Sequence, residues 1–223
     1  AGRDVIGQAQ TGTGKTAAFG LPLLQRIDPS LREVQALVLT PTRELAIQVA
    51  DALNELARNM GRLGVVAVYG GQPFGVQLKA MRRGASVVVG TPGRVMDHLG
   101  RSTLSLEGVQ TLVIDEADEL LRMGFIEDVE WIVEHAPPPG ERLTALFSAT
   151  MPAPVMRIGK RHLHDAASIA IEPDAPAIDT IDQTFLWAYG QHKFEALCRL
   201  LEVHEGDAVL VFAKTRVRCA DLA

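Results

Sequence analysis

The chain has 223 residues, 47% of them hydrophobic, and a net charge of −5. Its length accommodates one full domain and part of another, and its apolar content excludes global disorder. The acidic balance argues against a dedicated, strongly basic nucleic-acid binder but leaves room for local phosphate sites built from basic spots and backbone amides. Cys198 and Cys219 lie far apart without metal-ligand spacing. That argues against a disulfide framework and for a reducing, cytoplasmic setting. No signal peptide and no long apolar stretch is visible. The sequence begins at Ala1, almost at once in a strand, and so reads as a fragment.

The first predicted strand, 4–8, runs into Ala9-Gln10-Thr11-Gly12-Thr13-Gly14-Lys15-Thr16, and a helical pattern follows over 15–26. A strand, a Gly-rich turn and a helix start are the context that a P-loop requires. The glycines let backbone N–H groups face phosphate oxygens, and the helix N-terminus adds partial positive charge. Lys15 is the candidate for the β- and γ-phosphates of ATP, and the Thr16 hydroxyl for a Mg²⁺ ion. Ala9 stands where the general pattern has its first glycine. A Gly-rich turn can also merely start an ordinary helix.

Further strands are predicted at 36–40, 65–69, 86–90, 111–114, 143–147 and 168–171, rich in Val, Ile and Leu with little polar alternation. Such runs fit parallel strands buried on both faces. Helical patterns lie between them at 42–60, 75–83, 93–100, 125–135 and 153–163. The clearest, 42–60, repeats Leu45, Val49, Leu53 and Leu56 at helical spacing after a candidate cap, Thr42. The alternation predicts a doubly wound α/β fold with a mostly parallel sheet and helices on both faces. Its ligands belong at the carboxyl ends of the strands.

The strand at 111–114 ends in Asp115-Glu116-Ala117-Asp118. A carboxylate there, beside a P-loop, can hold Mg²⁺, directly or through water, which makes Asp115 the candidate ligand. Glu116 is placed to orient and deprotonate the water that attacks the γ-phosphate. Adjacent acids can also be helix caps, and Asp118 alone reads that way. His162 and His164, two apart near a helix end, read as surface groups. Phe125 and Trp131 read as core, Arg82 and Arg83 as an exposed helix end. The Pro- and Asp-rich stretch 172–179 reads as a linker. After it come a strand at 181–187, a helix at 192–204, a strand at 208–212 and the start of another helix. Lys193 and Phe194 are assigned to packing there. The predicted division is a first domain over 1–171 and the start of a second over 180–223.

With AQTGTGKT and DEAD, the chain carries PTRELAIQ at 41–48, GG at 70–71, TPGR at 91–94, LLRMGF at 120–125, SAT at 148–150 and VLVFAKT at 209–215. In this set and order it resembles the DEAD-box ATP-dependent RNA helicases over nearly its whole length. Ala9 is also what that superfamily carries. The resemblance implies a RecA-like P-loop fold and ATP and Mg²⁺ as ligands. It also implies single-stranded RNA as a partner, with local duplex unwinding or RNP remodelling driven by ATP hydrolysis. Lys15, Asp115 and Glu116 are then catalytic. Pro41, Thr42, Arg43, Gly71, Thr91, Pro92, Gly93 and Arg94 become RNA-backbone contacts. Hydroxyls, an Arg fork and exposed amides suit phosphates and sugars more than base edges, so binding without sequence preference is implied. Ser148, Ala149 and Thr150 become couplers that bond the DEAD carboxylates, Asp118 first among them. TPGR by itself also fits a helix start with Pro at its first position, and SAT a strand-end turn.

The family's adenine-reading glutamine motif and its arginine finger have no counterpart in the sequence. The expectation is therefore weak nucleotide binding and negligible hydrolysis by these residues alone. Two rival readings are a non-catalytic RNA-binding scaffold and a P-loop small-molecule kinase. Intact Lys15, Thr16, Asp115 and Glu116 oppose the first. PTREL, TPGR and SAT oppose the second.

Overall fold

A computed structural model describes residues 2–10, 12–61, 63–171, 182, 184–203 and 208–222. The chain divides into two units, Ala1–Asp174 and Ala175–Ala223. In the first, β1 (Val5–Gln8) leads to α1 (Lys15–Gln25), β2 (Ala36–Leu39) to α2 (Arg43–Leu56), and β3 (Val65–Val68) to α3 (Phe74–Arg82). Next come β4 (Val87–Gly90), α4 (Pro92–Gly100), β5 (Thr111–Ile114), α5 (Ala117–Arg122) and α6 (Ile126–Val133), then β6 (Leu143–Ser148), α7 (Ala153–His162) and β7 (Ala167–Ala170). The seven strands form one sheet in the order β3-β4-β2-β5-β6-β1-β7, and every pairing is parallel. The α/β, RecA-like reading of the sequence holds.

The strand sequences explain the layers. Side chains alternate faces along a strand. Leu37, Leu39, Val88, Leu112 and Ile114 lie in one apolar cluster with α4, α5, α6 and α7. Ala36, Val38, Val87, Val89 and Val113 lie in the other, with Phe19, Leu23 and Leu24 of α1 and Val49 and Leu53 of α2. Both faces are covered, so β2, β4 and β5 are apolar at nearly every position and buried throughout. Thr42 caps α2 by accepting a hydrogen bond from the Leu45 amide at 3.2 Å. Gly20 lets α1 approach α2, because a Cβ there would lie 2.7 Å from Leu53 Cδ2.

Some expectations need correction. His162 is buried, 5% exposed, whereas His164 is on the surface as anticipated. The last turn of α7 packs inward and takes His162 with it, and among the described residues its Nε2 has no hydrogen-bond partner. Trp131 is 37% exposed and tilts against the His135 ring at 4.0 Å, while Phe125 packs on the core. The short α5 is an element that the sequence pattern did not reveal. It has six residues, too few to display a helical period.

In the second unit, α8 (Lys193–Val203) follows a 3₁₀ turn, Gly190–His192, and α9 (Arg216–Leu222) comes later. The strands expected at 181–187 and 208–212 do not form among the described residues. A strand requires a laddered partner, and 184–189 and 208–213 have none among those residues. Phe194 is 61% exposed, so it does not pack as expected. The 172–179 segment lies outside the described residues.

Candidate nucleotide and nucleic-acid site

Because all strands run the same way, their carboxyl ends share one pole of the sheet. Strand order then fixes which loops are neighbours. Across the pole the loops carry Gly70-Gly71 (after β3), Thr91–Arg94 (β4), Pro41–Arg43 (β2), Asp115–Asp118 (β5), Ser148–Thr150 (β6) and Ala9–Thr16 (β1). The phosphate-type loops thus occupy one half of the pole. The PTR, GG and TPGR segments, far apart in sequence, occupy the other half together.

At the P-loop, Gly12 and Gly14 take φ of +82° and +83°, a left-handed conformation that glycine alone enters freely. Gly14 caps α1, and Thr13 Oγ1 donates to the Gln10 carbonyl at 2.8 Å. Gly12, Thr13 and Gly14 are exposed, whereas Ala9 is buried. Thr11 lies outside the described residues. The Lys15 Nζ is buried and has no hydrogen-bond partner among the described residues. An unpaired buried ammonium is costly, and anionic oxygens would relieve it.

At the end of β5, Asp115 is 3% exposed, and its Oδ1 accepts the Glu116 amide at 3.0 Å. Burial pushes the Asp115 carboxyl above its ordinary pKa, outweighing the attraction of Lys15. Burial and the neighbouring Asp115 charge push Glu116 up as well. Glu116 has φ 51 and ψ 52, left-handed for a residue with a side chain. Such strain clusters at functional sites. Among the described residues no group of three or more His, Cys, Asp or Glu is arranged to hold a metal ion. The donor set of Thr16 and Asp115 is what Mg²⁺ uses when most of its shell is water and phosphate oxygen, so the residues fit that ion.

The SAT segment bridges the two loops. The Ser148 carbonyl accepts the Ala9 amide at 3.1 Å, and the Ala149 carbonyl accepts Gln8 Nε2 at 3.3 Å. On its other side Ser148 Oγ accepts the Asp118 amide at 3.0 Å. Thr150 donates both its amide and its hydroxyl to Asp118 Oδ2, each at 2.9 Å. Ser148 is fully buried beneath the Asp118 amide, and its hydroxyl also stabilises the Asp118 carboxylate, as expected from the sequence. Burial pushes the Asp118 carboxyl upward. Hydrogen bonds from Thr150 and Ser148 outweigh it and hold the pKa below the ordinary value.

On the other half, Arg43, Gly71 and Gly93 are exposed, Thr42 and Thr91 half-buried, and Pro41 and Pro92 buried. A Cβ on Gly71 would lie 3.5 Å from Arg43 Nη1, so these two positions meet. Arg94 is turned inward. Its side chain is 14% exposed, and Nη1 donates to the Gln72 carbonyl at 2.9 Å and to Gln77 Oε1 at 3.0 Å. Gln77 and His98 are residues that sequence reasoning missed. The available signal was a polar residue on an apolar helix stripe: Gln77 follows Phe74 by three and precedes Met81 by four.

A profile of DEAD/DEAH box helicases matches residues 1–158. The ATP-dependent RNA helicase DeaD of Klebsiella pneumoniae is 52% identical over 222 residues, which cover 100% of this chain and 34% of that protein. DeaD of Escherichia coli (strain K12) is 50% identical, with 35% of its length covered. The DEAD-box ATP-dependent RNA helicase CshA of Bacillus subtilis (strain 168) is 45% identical over 99% of this chain and 44% of its own. The chain thus spans about a third to under half of these relatives' length. Among solved structures, a DEAD box protein from the hyperthermophile Methanococcus jannaschii superposes with a TM-score of 0.71 at 41% identity, covering 99% of this chain and 58% of the other. A hypothetical ATP-dependent RNA helicase from Sulfolobus tokodaii gives 0.69 at 33%, covering 99% and 62%.

Proposed function

Because the chain belongs to the DEAD/DEAH box helicase family, we propose that it acts in an ATP-dependent RNA helicase, binding ATP on one half of the strand-end pole and single-stranded RNA on the other. The observation that carries this reading is the hydrogen-bonded bridge Ala9–Ser148–Asp118–Thr150 between the P-loop and the DEAD segment. It gives the nucleotide loops a direct mechanical link to β6.

In this reading Ala9 to Thr16 wrap the phosphates, whose oxygens supply the partner that the buried Lys15 ammonium lacks. Thr16 and Asp115 would hold Mg²⁺, which, when bound, offsets negative charge on the phosphate oxygens. Glu116 accepts a proton from the attacking water. Its raised pKa makes it a stronger base once ionised. Asp118, Ser148, Ala149 and Thr150 couple the nucleotide loops to the rest of the pole. Pro41, Thr42, Arg43, Gly71, Thr91, Pro92, Gly93 and Arg94 form the RNA side. The buried prolines and Arg94 act through the backbone they shape, and binding follows the sugar-phosphate chain without base preference. No helix among the described residues is long and apolar enough to cross a membrane; the proposed cytoplasmic setting rests on the cysteine usage. The domain division into 1–171 and 180–223 belongs to the same proposal, as does weak turnover by these 223 residues alone.

RNA-stimulated ATP hydrolysis in the full-length protein tests the reading. Glu116→Gln should lower turnover by about 10²-fold or more while retaining ATP binding, and Lys15→Ala should weaken ATP binding itself. A protein whose RNA remodelling is unchanged by Glu116→Gln is a scaffold instead.

A further inference from the structure

Two polar side chains outside the motifs lie fully inside the fold beneath the proposed RNA half. Gln77 is 1% exposed and His98 0%. Gln77 Nε2 donates to the Tyr69 carbonyl at 2.8 Å, which fixes the amide orientation. Its Oε1 then accepts from Arg94 Nη1 at 3.0 Å and faces His98 Nε2 at 3.2 Å. An amide oxygen can only accept, so Nε2 is the protonated ring nitrogen. The other, Nδ1, sits 2.9 Å from Thr103 Oγ1, which also lies 3.0 Å from the His98 carbonyl. Phe74 stacks on the His98 ring, centroids 4.2 Å apart and planes 18° off parallel, and the Arg101 guanidinium lies 4.8 Å from the Phe74 centroid.

These contacts fasten the β3–α3 loop to α4 at three levels. Tyr69 and Gln72 are held by main-chain carbonyls, Arg94 by its guanidinium and His98 by its ring. The loop carries Gly71, against which Arg43 rests, and α4 begins just after Thr91. Gln77 thus joins the Tyr69 carbonyl of the β3–α3 connection to Arg94 and His98 of α4. Buried networks of this kind are rigid when complete and costly when broken.

We infer that Gln77 and His98 are positioning residues for RNA: the Arg94–Gln77–His98–Thr103 network holds the GG loop at one spacing from the TPGR segment, so that both meet the same sugar-phosphate backbone. This rests on the RNA half proposed above. The inference adds that the TPGR arginine works as a strut within the protein, its guanidinium hydrogen-bonded to Gln72 and Gln77 and paired with Asp97 at 3.6 Å.

The test measures binding of a fluorescein-labelled oligouridylate strand to the full-length protein, with a non-hydrolysable ATP analogue and Mg²⁺, by fluorescence anisotropy. Gln77→Met keeps the volume and removes all three hydrogen bonds. Thr103→Val keeps the shape and removes the anchor at the far end of the network. Gln77→Met should weaken RNA binding about tenfold and Thr103→Val about threefold. Affinity for the ATP analogue should stay within about twofold, and the salt dependence of RNA binding should fall by about one phosphate contact. If Gln77→Met does not fold, Thr103→Val carries the test alone. RNA affinity and salt slope unchanged in the folded variants, with wild type binding, overturn the positioning role. No RNA binding by the wild type overturns the proposed function and this inference with it.

Discussion

Asp115 and Glu116 show how one strand end holds acids at odds with their surroundings. Burial raises both pKa values, and Glu116 adds a left-handed backbone. The protonated forms are favoured in the folded state, so this pair destabilises the fold as pH rises through the folded pKa values, relative to lower pH. Without nucleotide or divalent ion, Asp115→Asn should therefore raise the unfolding midpoint at pH 7. The gain should shrink as pH falls into the ordinary carboxylate range. An Asp115→Asn protein less stable than wild type at pH 7 would contradict the cost assigned to burial. Asp118 has the opposite sign. Its pKa is lowered, so the stability it contributes is present at neutral pH and is lost as pH falls through the folded value. Thr150→Val, which removes the hydroxyl donor while keeping the amide, should cost about 1–2 kcal/mol in urea unfolding because the acceptor is a charged carboxylate. The place of the carboxylates at the end of β5 was legible in the sequence because the DEAD segment follows an apolar run. Which atom of Ser148 meets which atom of Asp118 was not, because the sequence does not say how deep β6 lies.

At the scale of elements, local signals were strong where they were long. The Val/Ile/Leu runs became strands because both faces of the sheet are covered. Thr42 became a cap because its hydroxyl reaches the Leu45 amide. Thr42→Ala should cost about 1 kcal/mol in chemical denaturation, with no change in ATP affinity. The packing of α1 on α2 depends on Gly20, whose missing side chain leaves room for Leu53 and Leu56. Gly20→Val should destabilise by about 1–3 kcal/mol through overpacking. A neutral result in urea unfolding would mean that the two helices separate at little cost. Signals failed where elements were short or depended on distant partners. α5 has fewer than two helical turns over which to show a pattern, and the β-prone run at 208–212 forms no strand because a ladder takes two stretches of backbone.

For the whole first unit, two buried histidines set a common response to acid. Burial, with Arg94 as a positive neighbour, lowers the His98 pKa, and burial with Arg161 lowers that of His162. Both are neutral in the folded state, and the unfolded chain takes up protons below about pH 6.5. Stability is therefore full above that value and declines as pH falls from it toward the folded pKa values. Thermal unfolding from pH 7 to pH 5 checks this. His162→Gln should lose less over that interval than wild type, and an equal loss would remove His162 from the account. The sheet order acts at the same scale. It places β6 between β5 and β1, and β4 between β3 and β2, which produces the two halves of the pole.

The sequence by itself determined the strands and longer helices of the first unit and the sheet type, because strand and helix periods, like the P-loop glycines and clustered acids, are local properties of consecutive residues. Only the tertiary structure decided which loops touch. Asp118 meets Thr150 across 32 residues, Arg94 meets Gln72 across 22, and Gln8 meets Ala149 across 141. Those meetings follow from strand order and burial depth, which depend on how the seven strands pair into one sheet. Gln77 illustrates the difference. In the sequence it is a polar residue on an apolar stripe, and its meaning appears only when the carbonyl of Tyr69 and the side chains of Arg94 and His98 converge on it.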